Sequence, residues 1–211
     1  MLHALLAFAA FAAVVTVTPG LDTMLVVRTT ALSGRRPAFA AAAGIMLGCL
    51  CWALASALGI TALLTASRVG YDVLRWAGAG YLCFLGVRAL WRHRRPSTVD
   101  APEPAPAGAG SAFRVGLTTN LLNPKVGAFY LSVLPQFLPH GVAPLLASAA
   151  LATVHNLEGL AWFAALVFLV GRGAAVLSRP AVRRRLDQLT GLVFIGFGVR
   201  LVVQGAHRTS A

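Results

Sequence analysis

Residues 37–67 read PAFAAAAGIMLGCLCWALASALGITALLTAS, a stretch without a single Asp, Glu, Lys or Arg. About 20 apolar residues suffice for a helix to cross roughly 30 Å of hydrocarbon, so this run alone is long enough to span a bilayer. Two more runs have the same character. Residues 1–21 and 126–157 are also free of all four charged types. Across the 211 residues, charged side chains make up 11% and apolar ones 58%. A soluble domain carries about 25% charge because its core must be wrapped in polar surface. The chain is therefore read as an all-α, polytopic integral membrane protein.

The charge that remains is strongly basic, 18 Lys+Arg against 6 Asp+Glu. A nucleic-acid binder would gather such charge on one face of a soluble domain. Here it falls in short runs between apolar segments, such as Trp91-Arg92-His93-Arg94-Arg95 and Arg183-Arg184-Arg185. That pattern orients membrane helices, and no nucleic-acid partner is expected. Cys49, Cys51 and Cys83 lie within apolar segments and fit no zinc spacing, so they read as small core residues. No Lys or Arg precedes Arg28, so the N-terminal run lacks the positive flank of a signal peptide and reads as a first helix.

Six apolar segments follow one another, at about 4–32, 38–66, 72–91, 114–138, 143–171 and 186–206. The second contains Gly44-Ile45-Met46-Leu47-Gly48, a small-xxx-small face suited to close helix contact. Between the third and fourth lies PSTVDAPEPAPAGAGS (96–111), a Pro/Ala/Gly-rich stretch with almost nothing to bury. It divides the chain into a first three-helix half (1–95), a flexible cytoplasmic linker (96–113) and a second half (114–211). Lys and Arg in alternate loops count thirteen against four, the excess falling after segments one, three and five. The positive-inside rule then puts the linker in the cytoplasm and both termini in the periplasm. Trp52, Trp76, Trp91, Tyr71 and Tyr81, mostly near segment ends or on packing faces, read as interface anchors.

The halves also resemble each other. A shift of 105 residues lays Pro19 on Pro124, and Gly86-Val87-Arg88 recurs as Gly198-Val199-Arg200. Three helices per half force the second half to enter the membrane inverted. The expected fold is thus six transmembrane helices in a 3+3 inverted repeat, with helices one and four broken at their prolines. Unwound backbone at membrane depth must be buried in protein or line a wet cavity. The chemistry concentrates at these breaks. Asp22 follows Pro19-Gly20, and Lys125 follows Asn120-Leu121-Leu122-Asn123-Pro124. A charge at mid-bilayer costs about 2.5–3.5 kcal/mol on insertion scales, so such residues are usually paired or functional. Pro19, Gly20, Asp22, Asn120, Asn123, Pro124 and Lys125 are the candidate substrate-binding set, although Asp22 and Lys125 could equally hold the halves together as an ion pair. His155 and Glu158 are three residues apart on one helix face and form a candidate proton-coupling pair. Two such residues are too few for a metal site, and nothing resembles a nucleophile elbow or a phosphate loop. Neither cofactor, metal nor enzymatic activity is expected.

Three groups of residues together resemble the LysE/RhtB amino-acid exporters: Thr18-Pro19-Gly20-Leu21-Asp22; Ala77-Gly78-Ala79-Gly80-Tyr81-Leu82 with Leu85-Gly86; and Asn120-Leu121-Leu122-Asn123-Pro124-Lys125 with Leu134-Pro135-Gln136-Phe137. The order is right over nearly the whole chain, and the Asn-Pro-Lys segment is its most specific part. Leu21 departs from the Pro-Gly-Pro form common in the family. The resemblance implies a bacterial inner-membrane exporter of amino acids or related metabolites, driven by the proton gradient, with Glu158 as the acidic residue of its fifth helix. The residues themselves also suit a zwitterion. Lys125 or a broken-helix N-terminus can take its carboxylate, and Asp22 or Glu158 its ammonium. Two alternatives remain open, a cation or metal-ion exporter using Asp22, Glu158 and His155, and a non-transporting membrane scaffold. The expected partners are an amino acid, protons and the lipid bilayer, and the chain could assemble as a homo-oligomer.

Overall fold

The computed structural model describes residues 2–66, 68–91, 108–139, 141–169 and 180–209. All regular structure among them is helical. The elements are α1 (Leu2–Val17), α2 (Leu21–Ser33), α3 (Arg35–Ala66), α4 (Arg68–Trp91), α5 (Ala109–Leu121), α6 (Pro124–Ala128), α7 (Pro144–Phe168) and α8 (Pro180–Thr209). Between α6 and α7 the backbone widens into a π-helical stretch, Phe129–Val133, then tightens into a 3-10 turn, Leu134–Phe137. Most of the linker expected at 96–113 lies outside the described residues. Its last part is helical, since α5 begins at Ala109, where the Ser111 hydroxyl donates to the Gly108 carbonyl and accepts from the Gly108 N–H. Arg183-Arg184-Arg185, read as a loop, lies within the first turns of α8. Arginine is a good helix former, so the helix runs on past its apolar part.

Two described helices are long and apolar enough to cross a membrane, α3 over Arg35–Gly59 and α7. Taken as one bent span, Leu5–Val17 with Leu21–Ser33 makes a third, its halves inclined by 52°. The bend has a local cause. Thr18, Pro19 and Gly20 fall outside helical geometry, and α2 restarts after an extended Gly20. At the other end of α2, Gly34 has φ +87°, a left-handed conformation that a side chain would oppose, and this lets α3 begin at once.

α5 packs along α3, α8 along α4, and α7 against α1, α2 and α3. Lipid tails are as apolar as leucine, so such helices associate through close packing more than through hydrophobic burial. Glycine supplies the closeness. Gly116 of α5 lies on the Ala41 carbonyl, and Gly44 lies on the Phe113 backbone, where even one Cβ would collide. Gly48, the other half of the small-xxx-small pair, leaves room for the Asn120 side chain. At the centre, Phe8, Phe11, Phe129, Phe137 and Phe197 interlock with ring centroids 5.0–5.9 Å apart. Leu54, Leu58, Leu146 and Leu157 stand exposed on the outer faces of α3 and α7, as lipid-facing side chains do.

Candidate functional site

The interrupted helix leaves carbonyls at the end of α1 without helical partners. Lys125 reaches across from α6 and meets them, its Nζ donating to Val15 O at 3.0 Å and Thr18 O at 3.1 Å. A cation at the negative end of a helix is favoured, so the ammonium both caps α1 and stands at its dipole. Gly20 makes this approach possible, because a Cβ there would sit 3.1 Å from Lys125 Nζ. The second break is built by different chemistry. α5 ends at Leu121, and Asn123 caps α6, its Oδ1 accepting from Lys125 N at 3.1 Å with Pro124 in the first helical position. Proline loses no hydrogen bond there, so Pro124 starts a helix where the sequence suggested it would break one.

Asp22 occupies the first turn of α2, where a negative charge meets the positive helix end. Its Oδ2 accepts from Asn120 Nδ2 at 2.9 Å. Asp22 Oδ1 and Asn123 Nδ2 are both buried without a completed hydrogen bond. On α7, His155 Nδ1 lies 2.9 Å from the Tyr130 hydroxyl, and its ring packs on Phe129.

Gly20, Asp22, Asn123, Lys125 and His155 line one cavity, with Thr16 Oγ1 as a further unbonded acceptor on its wall. Ile45, Val126, Phe129 and Phe163 supply the apolar side. About 40 Å³ of it is open to water, room for a few molecules. The other expected residues fall around it. Asn120 is fully buried behind Asp22, Pro19 is buried within the first break, and Pro124 is exposed. Glu158 neighbours the cavity-lining Gly159 but does not line the cavity itself, and its Oε2 is buried without a partner. Among the described residues, no three His, Cys, Asp or Glu side chains gather as a metal site would require.

Several contributors are invisible in the sequence pattern. Trp52, read as an interface anchor, donates to Asn120 O at 3.3 Å and packs on Gly127. Cys49, read as core filling, accepts from Asn120 Nδ2 at 3.5 Å. Asn156 donates to Met46 O of α3 at 3.2 Å. The π-helical stretch around Tyr130 is a geometry often found at functional sites, but only structure reveals it.

Two broken helices that bring an acid and a base to one buried cavity belong to a membrane transporter's architecture. A family model described as LysE type translocator matches residues 13–205, and the chain belongs to this LysE family. It is 35% identical over 191 residues to an uncharacterised membrane protein of Pseudomonas aeruginosa, covering 87% of each chain. An uncharacterised membrane protein of Bacillus subtilis is 27% identical over 206 residues, covering 94% of this chain and 98% of the relative. The threonine efflux protein of Escherichia coli is 28% identical over 187 residues, covering 88% of this chain and 90% of that one. No solved structure matches the chain significantly.

Proposed function

We propose that the protein exports amino acids or related small zwitterions across the bacterial inner membrane in exchange for protons. One observation carries the reading: Asp22 and Lys125, each following a helix break, face the same cavity. A zwitterion needs opposite charges close together, and carboxylate and ammonium stand here on separate elements that can move against each other. Asp22 and Lys125 contact the substrate or each other in alternate steps, with Gly20, Asn120, Asn123 and the two prolines shaping the site. The threonine efflux relative supports the substrate class. The narrowness of the cavity favours small amino acids and a site that must widen to load.

The scaffold is six spans in a 3+3 inverted repeat, with both termini periplasmic and the linker cytoplasmic. The helix neighbours support the repeat. Exchanging the halves turns the α3–α5 pair into the pair of α7 with α1 and α2, and maps α4–α8 and α3–α7 onto themselves. Protons are handled on α7 by Glu158, a carboxylate with one buried oxygen unbonded, and His155 one turn before it. The reading is tested by counterflow of a panel of radiolabelled amino acids in proteoliposomes. Threonine or a similarly small amino acid should exchange, and failure of every amino acid in the panel would overturn it.

A further inference from the structure

Threonine in an apolar helix usually keeps its hydroxyl occupied. The group can donate to the carbonyl four residues back, which spares it an unpaired burial. Thr18, Thr30, Thr118 and Thr153 do so, on Val14 O, Val26 O, Arg114 O and Ala149 O at 2.6–2.9 Å. Thr16, in the last turn of α1, does not. Its Oγ1 is buried with no partner. Thr29 Oγ1 is also unbonded, but of the two only Thr16 lines the cavity.

Asp22 Oδ1 and Asn123 Nδ2 belong to the same lining and are in the same condition. Three places in the fold thus each supply one unbonded polar atom: the end of α1, the first turn of α2 and the cap of α6. A buried polar group without a partner costs the fold, and a polar ligand in the cavity would satisfy all three. Their chemistry differs. The Asn123 amide nitrogen can only donate, its oxygen being used in the cap. An ionised Asp22 can only accept. The Thr16 hydroxyl can do either, and its setting chooses. Beside it, Val15 O and Thr18 O already gather an ammonium, Lys125 Nζ, at 3.0 and 3.1 Å. The negative end of a helix favours a positive partner, so Thr16 Oγ1 stands there as an acceptor.

We infer that Thr16 is a substrate-contacting residue whose hydroxyl oxygen, together with Asp22 Oδ1, receives the α-ammonium of the transported zwitterion, while Asn123 Nδ2 takes the carboxylate. This rests on the transport reading and deepens it. A primary ammonium carries three hydrogens, and a single carboxylate oxygen does not meet them all. Acceptors on two helices also give the ammonium a direction, which one acceptor would not. The 52° bend between α1 and α2 lies between Thr16 and Asp22. A change in that bend alters the spacing of the two acceptors, and with it the hold on the ammonium.

The test pairs counterflow in proteoliposomes with thermal unfolding, for the full-length protein, Thr16→Val and Thr16→Ser. Valine keeps the shape and removes the hydroxyl, whereas serine keeps the hydroxyl. Thr16→Val should raise the KM for threonine about tenfold or more, because a hydrogen bond to a charged group is lost. It should also unfold at the same or a higher temperature, because an unpaired buried hydroxyl has gone. Thr16→Ser should keep the KM of the unaltered protein. A structural hydroxyl would give the opposite pair, a lower unfolding temperature with KM unchanged, and that result would overturn the inference. Inhibition of exchange then identifies the end of the zwitterion. Isopropanolamine is threonine without its carboxylate, and β-hydroxybutyrate is threonine without its amino group. Thr16→Val should weaken inhibition by the amine and leave that by the acid unchanged. A loss confined to the acid, or an amine that does not inhibit the unaltered protein, would overturn the assignment to the ammonium. Exchange unaffected by Thr16→Val would sink this inference alone. No exchange of any amino acid by the unaltered protein would overturn the transport reading, and this inference with it.

Discussion

Glu158 and Asp22 are both carboxylates on helices of otherwise apolar segments, but their surroundings differ. Asp22 is tied to Asn120 and shares its cavity with Lys125, whereas Glu158 has a buried oxygen with no partner and stands beside the cavity. Glu158→Gln keeps the shape and removes the ionisable group. It should abolish proton-driven efflux while sparing substrate counterflow, both measured in proteoliposomes. Asp22→Asn and Lys125→Met should reduce both processes by tenfold or more, since losing one charged hydrogen-bond partner costs about 1.5–3 kcal/mol. Proton-driven accumulation retained by Glu158→Gln would make that residue structural. Glu158 was legible in the sequence because it is the only Asp, Glu, Lys or Arg between 126 and 170, and Asp22 and Lys125 because each follows a proline within an apolar segment, where a charge is costly. The bonds from Lys125 to Val15 and Thr18 were not, because they join residues more than 100 positions apart. Cys49 and Tyr130 were hidden for another reason. On an apolar helix face a cysteine or tyrosine that bonds looks the same as one that only fills space.

The two breaks differ as elements, and substitutions should separate them. Pro19→Ala would let α1 run on toward α2, drawing the Val15 and Thr18 carbonyls back into helical bonds and away from Lys125. Efflux normalised to membrane abundance should fall sharply. At the second break Asn123→Ala removes the cap of α6, a loss of about 1 kcal/mol, together with a cavity-lining amide. Pro124→Ala leaves that cap in place and should weaken efflux less than Asn123→Ala does. Equal losses from the two would mean that Pro124 holds the break itself. Glycines give a second contrast. Gly116→Ala puts a Cβ onto the Ala41 carbonyl and should destabilise the α3–α5 contact by about 1–3 kcal/mol. Gly80→Ala meets nothing within 4 Å among the described residues and should be neutral or stabilising by up to about 1 kcal/mol. Thermal unfolding in detergent would distinguish them. The Gly44/Gly48 spacing announced a close contact in the sequence, but its partner, α5, became visible only once the helices were packed.

On the scale of the whole molecule, the proposed topology follows from the uneven distribution of arginine. Single cysteines in a background lacking Cys49, Cys51 and Cys83 should react with an impermeant reagent on intact cells at position 210 and not at Ser111. The reverse pattern would invert the protein in the membrane and contradict the proposed topology. The transport proposal rests on Asp22 and Lys125 facing one cavity from two helix breaks. The most direct measurement is accumulation of radiolabelled threonine in proteoliposomes under an imposed proton gradient, with Asp22→Asn and Lys125→Met alongside. The unaltered protein should concentrate threonine against its gradient, and each variant should lose that ability at normal abundance. Equal accumulation by all three would contradict the central claim, because the cavity between the breaks would then not be where the substrate passes.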